Sequence, residues 1–415
     1  MYDRNTPVDY GGREPSSVGM RIREFRAIRD FSLAELGRRA HVSTGHLSRV
    51  ESGDRHASPA VVAAVARALG VPISVLHGQP YIHILQKDQL DALLTPISSA
   101  LDSWDIPLEE NVPTDSLDEL AAKVAQASRR RASGNFAAAA EALPELITAT
   151  ATAVQIHSAP GADRERAYYL QAEVARTTAI VAYRLGYMDL ARLALARMAV
   201  AAPQSGDPRQ VAIERYERAQ MTHAETARPD RGVALMRLAL RDLVNDGEPA
   251  TAAVRGTLLL RAATLSAVQH DQAATESWLG EAEDLAEASA RQHEQENPPG
   301  SRYALAFGQL NVTLGQMDAA IHGDDHDAAL RWAEMVQMPE DYQPTRVAGF
   351  WIRRAESFAW TARHSQALQS LQEARRIAPQ LTRYHPNVHE TVATLLRARQ
   401  RATDSLRDFA QWSGV

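Results

Sequence analysis

The chain has 415 residues, of which 45% are hydrophobic and 23% charged, a globular composition too long for one compact core. It contains no cysteine, which excludes disulfides, thiol nucleophiles and cysteine-ligated metal sites. Residues 1–80 hold 11 Arg against 8 Asp or Glu, whereas the rest holds 34 Lys or Arg against 43 Asp or Glu. A weakly basic amino end on an acidic body is compatible with nucleic-acid binding at that end.

The first segment, residues 1–17, is polar and contains Gly11, Gly12 and Pro15. It has no apolar signal-peptide core, so we expect a flexible tail. No later stretch is long and apolar enough to span a bilayer. These features predict a cytoplasmic protein without membrane contacts.

Residues 18–80 are predicted to form a five-helix domain. Ser32 followed by Glu35 is a capping-box pattern at a helix start, and Gly53 supplies a helix stop. Ser58-Pro59 combines an N-cap with proline in the first turn, which marks another helix start. The predicted helices cover residues 18–29, 32–40, 43–52, 58–69 and 73–76.

The third of these helices has the pattern of a DNA-reading helix. Leu47 and Val50 are three residues apart and should pack on Leu36 and Phe25. A helix that enters the major groove exposes short polar residues at its amino end, and arginine bonds guanine through two hydrogen bonds. The exposed face is predicted to carry the DNA-binding residues Ser43, Thr44, Gly45, His46, Ser48 and Arg49.

The whole segment resembles the phage-repressor-like (XRE-type) helix-turn-helix family. The resemblance is carried by residues 22–26, 32–36, 42–43, 47–53, 58–59 and 66–71. It implies a DNA-binding regulator in which Thr44, Gly45 and Arg49 contact bases. It also implies a partly buried ion pair between Arg26 and Glu51 that positions the third helix.

Two residues of the second helix depart from this family's pattern. Many members have glutamine where Leu33 stands, and that glutamine braces a DNA phosphate. Gly37 stands where alanine is usual. The departures put the side-chain phosphate clamp in doubt, although free amides at a helix start also bind phosphate.

Residues 81–415 are predicted to form a body of alanine-rich helices without strands. The predicted segments are 87–103, 115–132, 136–156, 163–185, 188–201, 208–226, 230–245, 250–269, 272–291, 301–320, 326–336, 345–363, 365–377 and 387–411. Successive helix turns recur at intervals of 40 to 53 residues, which indicates long, degenerate helical repeats. The predicted fold is therefore all-α, with a helix-turn-helix domain followed by a helical solenoid.

The segment 364–374, ending at Ala378-Pro379, resembles the second helix of a tetratricopeptide repeat. The order of the two domains resembles peptide-responsive quorum-sensing regulators of bacteria and developmental regulators of filamentous actinobacteria. That resemblance implies a homodimer that binds double-stranded DNA and a short peptide or small-molecule effector. Asn311, Arg255 and Arg261 are the candidate effector ligands, because amide and guanidinium groups bind peptide amides and carboxylates.

Other candidate sites have simpler explanations. His385 and His389 are four residues apart but have no third ligand, and residues 324–327 lack calcium-loop spacing. The run 129–131 is interpreted as an exposed charged helix end. Neither GxxxxGK[ST] nor GxSxG occurs, so we expect no enzyme, cofactor or metal. The alternative function is a protein-interaction adaptor whose solenoid docks a partner protein, with the helix-turn-helix as a DNA tether.

Overall fold

The computed structural model describes residues 18–29, 31–55, 57–71, 73–77, 84–103, 106, 115–226, 228–292, 305, 307–398 and 403–415. Within these ranges every regular element is a helix, so the predicted all-α class is confirmed. None of these helices is long and apolar enough to cross a membrane. The predicted tail, residues 1–17, and the end of the predicted five-helix domain, residues 78–80, lie outside the described residues.

The amino-terminal head contains five helices at the predicted positions. They are α1 (Val18–Ile28), α2 (Leu33–Ala40), α3 (Thr44–Ser52), α4 (Pro59–Leu69) and α5 (Ile73–Leu76). Ser32, Ser43 and Ser58 each accept a hydrogen bond from the backbone three residues later. Gly53 and Gly70 end α3 and α4 in the left-handed conformation that glycine adopts without strain.

The head closes around a small apolar core. Its members include Ile22 of α1, Leu36 of α2 and Leu47 of α3, all fully buried. A Cβ atom at Gly19 would lie 1.9 Å from the carbonyl oxygen of Val50. The backbones of α1 and α3 therefore touch, which fixes the angle of α3 on the head.

The body contains longer helices. They are α6 (Ile84–Asp102), α7 (Leu117–Ala132), α8 (Phe136–Ile156), α9 (Ala162–Arg184), α10 (Met188–Ala201), α11 (Pro208–Thr226), α12 (Pro229–Asp242), α13 (Pro249–Val268), α14 (Gln272–Gln292), α15 (Gln309–His322), α16 (His326–Met335), α17 (Pro344–Trp360), α18 (His364–Ile377), α19 (Pro379–Arg383), α20 (Pro386–Ala398) and α21 (Asp404–Ser413). Most begin and end within three residues of their predicted limits.

Two predicted helices are wrong in part. The helix expected from residue 301 begins at Gln309, and Leu305 and Phe307 before it are buried but not helical. The helix expected over 387–411 is two helices, because Thr403 caps α21 through its hydroxyl. The short helix α19 also lay outside the predicted segments.

Body helices pack in consecutive pairs, from α7 with α8 to α17 with α18. The first helices of successive pairs also contact each other, as in α7 with α9 and α13 with α15. This arrangement is consistent with the predicted solenoid. Close approach uses small residues: a Cβ at Gly256 would lie 2.2 Å from the Phe307 ring.

The first and last helix pairs of the body also meet. The Thr345 hydroxyl at the start of α17 donates to the Ala132 carbonyl at 2.8 Å. The Ala137 amide of α8 donates to the Gln380 side chain at 3.1 Å. The two ends of the body therefore contact each other. The first helices of the pairs, from α7 to α17, contact one another in succession, and we call the layer that they form the inner face of the body.

Candidate nucleic-acid interface

Helix α3 presents a polar surface to solvent at its amino end. Leu47 and Val50 anchor the opposite face in the head core. The structure leaves five of the six predicted DNA-binding residues exposed and half-buries the sixth, His46. The exposed five are Ser43, Thr44, Gly45, Ser48 and Arg49.

Arg49 lies along the exposed side of α3. Its Nε donates to the Gly45 carbonyl at 3.1 Å, which holds the guanidinium over the first turn of the helix. A Cβ at Gly45 would meet no atom within 4 Å, so no contact inside the protein requires glycine there. An exposed guanidinium beside an open helix turn can reach the edge of a guanine base.

Arg26 and Glu51 lock α3 to α1. Arg26 Nε and Nη2 donate to the two Glu51 carboxylate oxygens at 2.7 and 2.8 Å, and Nη1 donates to the Phe31 carbonyl at 2.8 Å. Glu51 is only 7% exposed, and its bonds raise the pKa of Arg26. The pair fixes α3 against α1, while desolvation of the two charges offsets much of their attraction.

The structure explains one of the two departures in α2. A Cβ at Gly37 would lie 2.6 Å from the Val42 carbonyl oxygen, so the turn between α2 and α3 comes close to this residue. Glu35 in the first turn accepts hydrogen bonds from Arg39 and Arg38, which lower its pKa. No contact of the described residues explains Leu33.

The inner face of the body holds buried charges that the sequence analysis missed. Arg176 of α9 donates to Glu217 of α11 at 3.1 Å and lies 3.9 Å from Glu173. Gln210 donates to Glu173 at 2.9 Å. All four side chains are buried. Arg176 and Glu217 are 41 residues apart, so no local pattern revealed their contact.

Arg131 corrects the expectation of an exposed arginine run at 129–131. It is only 9% exposed, and desolvation, with Arg176 nearby, lowers the pKa of its guanidinium to about 10. Its Nη2 donates to Ser128, whereas its Nε is buried without a hydrogen-bond partner. Because Arg131 follows Val124 by seven residues, it shares the buried face of α7, and this spacing was the available signal.

The three predicted effector ligands lie in different surroundings. Asn311 is buried and donates to the Tyr342 hydroxyl at 2.7 Å. Arg255 donates to the carbonyls of Leu240 and Leu243 at the end of α12, so it caps that helix. Arg261 donates to Tyr216 and Gln220 at 3.1 and 3.2 Å, and its Nε is buried without a partner.

The weaker sequence candidates form no metal centre. His389 Nε2 lies 2.7 Å from the Arg383 carbonyl, and His385 Nδ1 accepts from the Asn387 amide. Asp325 caps α16. Among the residues that the structure describes, no group of three His, Cys, Asp or Glu side chains could hold a metal.

The head docks on the body beside α11 and α20. Helices α4 and α5 contact α11, and the Val18 amide donates to Glu390 of α20 at 3.4 Å. His77, at the end of α5, has its pKa lowered to about 4 by desolvation, with Glu390 and Arg21 nearby. Thr44, Gly45, Ser48 and Arg49 of α3 remain exposed in the docked head.

Comparison with known families covers the head alone. A family described as a helix-turn-helix domain matches residues 17–77. No curated protein matches the chain. The match supports a DNA-binding head of the XRE-like regulator type. It leaves the body without an assigned family.

Proposed function

We propose that this protein is a sequence-specific transcriptional regulator whose body binds an effector and forms a homodimer. The observation that carries the DNA-binding part is α3, which exposes Thr44, Ser48 and Arg49 and is held at a fixed angle by the Arg26–Glu51 pair. A rigid helix with exposed polar residues is the arrangement that reads base edges in the major groove.

The test is selection of bound sequences from a random duplex pool with the full chain. Arg49→Ala should lose about 1–3 kcal/mol of binding free energy and relax the preference at one base position. Arg241→Ala is the matched control, because it removes an exposed arginine from the last turn of α12, outside the head. Selection of no sequence by the wild type, or equal effects of both variants, would refute this role.

Dimer formation is supported by the small size of one head. A single α3 touches few phosphates, whereas two heads related by a two-fold axis read two half-sites one or more helical turns apart. We place the interface on the carboxy-terminal helices, because the head has no additional dimerisation helix among its described residues. Light scattering should give a dimer and the selected site should be palindromic; a monomer with and without DNA contradicts the proposal.

The proposed effector site is the inner face of the body. Arg131 and Arg261 each bring a buried Nε without a hydrogen-bond partner to this region, and a ligand carboxylate or amide carbonyl would satisfy them. A bound effector alters DNA affinity only if it prefers one arrangement of the protein. An effector that binds Asn311 must displace the hydrogen bond from Asn311 to Tyr342.

Mass spectrometry of the purified protein, under native conditions, tests the effector proposal. We expect a co-purifying peptide or metabolite that is lost or weakened in Arg131→Met and Asn311→Ala, with Arg255→Met as a control because Arg255 caps α12. Recovery of a stoichiometric protein partner, without any small ligand, would favour the adaptor function.

A further inference from the structure

A cavity of about 250 Å³ lies where the two ends of the body meet. The residues that line it come from α6, the start of α8 and the end of α9, and from α19 and α21. We call it the end cavity; its walls include Leu93, Leu185, Tyr384 and Trp412, with the polar residues Gln380 and Arg383. A cavity of about 150 Å³ already accepts a benzene ring, so the end cavity has space for a ring that carries a short polar group.

Trp412 is a rigid part of the apolar wall. The Arg375 guanidinium of α18 stacks over its ring, with Cζ 4.2 Å from the ring centroid. Phe409 packs edge-to-face against the same ring, and the two centroids are 5.3 Å apart. Phe409 is itself fully buried, so the indole is held from within the body. An aromatic wall that is already fixed can bind a second ring without a further loss of side-chain freedom.

Arg383 brings a positive charge to the end cavity. Its backbone is fixed, because His389 Nε2 of α20 lies 2.7 Å from the Arg383 carbonyl oxygen. Its guanidinium has no hydrogen bond, ion pair or ring contact with any residue that the structure describes. Gln380 differs, since its side-chain oxygen accepts from the Ala137 amide at 3.1 Å. No acidic residue is among the described residues that line the cavity, so the charge of Arg383 is not balanced there.

We infer that the end cavity binds a small aromatic carboxylate. The Arg383 guanidinium pairs with the carboxylate through two parallel hydrogen bonds, and the ring lies against Trp412 and the two leucines. A phosphate ester carries up to two charges, more than a single guanidinium balances. The bound acid contacts both ends of the body at once. This site is separate from the proposed effector site, because Arg131, Arg261 and Asn311 do not line the end cavity.

Isothermal titration calorimetry of the full chain with benzoate, phenylacetate and cinnamate tests this inference. At least one of the three acids should bind the wild type. Arg383→Met should weaken the binding of that acid about ten- to a hundredfold, the range for a lost hydrogen bond to a charged group. The Arg383 guanidinium makes no contact that methionine would break, so this variant should fold as the wild type does. The uncharged amide of the same acid should bind wild type and Arg383→Met equally.

Two further variants separate charge from space. Arg376→Met is the matched control for Arg383→Met, because Arg376 is exposed on the neighbouring α18 and pairs with Glu373. It should bind the acid as the wild type does. Ala137→Leu keeps Arg383 but adds a larger side chain to the cavity wall in the first turn of α8, so it should also weaken binding.

A second measurement locates the acid in the wild type. Saturation with the tightest-binding acid should slow amide hydrogen exchange both in residues 136–140 and in residues 379–384, because these distant segments line the same cavity. Equal affinities of wild type and Arg383→Met, an equal loss in Arg376→Met, unchanged exchange in both segments, or failure of the wild type to bind any of the three acids at millimolar concentration would each overturn the inference. None of these results depends on DNA binding by the head.

Discussion

The head and the body define their helices by different means. In the head, α2, α3 and α4 each begin with a serine that caps the helix, and each ends on a left-handed residue. In the body, several helices begin without any side-chain cap; they are α9, α10, α12, α13, α15, α17 and α18. The head relies on local signals, whereas the body relies on packing between long helices.

The head and the body also differ in how deeply they bury ion-paired side chains. In the head, the Arg26 side chain of the ion pair with Glu51 remains 18% exposed. In the body, the side chains of Arg176 and Glu217 are 2% and 6% exposed. A buried ion pair adds little net stability, but loss of one partner leaves a charge stranded away from water. The inner face of the body is therefore the more sensitive region.

Arg176→Met gives the largest expected effect. It removes the buried cation that bonds Glu217 and lies 3.9 Å from Glu173, so the free energy of unfolding of the body should fall by about 3–5 kcal/mol. The six tryptophans all follow residue 100, so their fluorescence during urea unfolding reports the body alone. Arg26→Met is the matched head variant and should leave this transition in place. Equal tryptophan transitions for wild type and Arg176→Met would contradict a structural role for the network.

Gly19→Ala tests the head in the same way. Its Cβ would lie 1.9 Å from the Val50 backbone oxygen, which cannot move without displacing α3. We expect the free energy of unfolding of the head to fall by about 3 kcal/mol, at the upper end for overpacking. Hydrogen exchange of the head amides should become faster, while the tryptophan fluorescence of the body stays unchanged. Gly256→Ala is the comparison in the body, where the obstacle is the Phe307 ring at 2.2 Å. The Phe307 side chain can rotate away, whereas the Val50 backbone cannot. We therefore expect Gly256→Ala to lower the free energy of unfolding less than Gly19→Ala does.

The structure of the head could be predicted more closely than that of the body, because its helix signals are local. The caps at Ser32, Ser43 and Ser58 lie within three residues of the amides they bond, so local pattern reveals them. The exposed residues of α3 follow from its helical period in the same way. By contrast, Arg176 meets Glu217 only after α9 and α11 have packed.

The carboxy-terminal half of the body also depends on contacts that local sequence patterns do not reveal. The sequence between 387 and 411 has continuous helical character, yet Thr403 starts a separate helix α21. Contacts across the body, such as Thr345 with Ala132, join residues 213 apart. Arg131 is the exception, since its seven-residue spacing from Val124 could have shown its burial beforehand.

Acidification should weaken the junction of the two regions. Desolvation lowers the pKa of both His77 in the head and His389 in the body to about 4. Below the ordinary histidine pKa the unfolded chain binds protons that the folded chain does not, so stability falls as the pH drops from about 6.5 towards 4.

The expected loss at pH 5.5 is about 1 kcal/mol for the two histidines together, after allowance for their partial exposure. Urea unfolding followed by far-ultraviolet circular dichroism at pH 7.5 and 5.5 measures it, because this signal reports the helices of both regions. In His389→Gln the difference between the two pH values should shrink, because glutamine does not titrate. The same pH difference in wild type and variant would assign the acid sensitivity to other groups.

Gly45→Ala is expected to have the smallest effect, and it separates folding from DNA reading. No atom lies within 4 Å of a Cβ at this position, so alanine should stabilise α3 by about 0.5–1 kcal/mol through its higher helix propensity. Gly280→Ala in α14 is the matched body variant, because its Cβ also meets open space. Slower hydrogen exchange in α3 and in α14, respectively, measures the two gains in stability.

DNA binding by the same two variants tests whether Gly45 allows close approach to DNA. If it does, Gly45→Ala should bind the selected duplex more weakly although its α3 is more stable, while Gly280→Ala binds the duplex as the wild type does. Unchanged or tighter binding by Gly45→Ala would mean that the added methyl group meets no DNA atom, and would remove Gly45 from the base-reading surface.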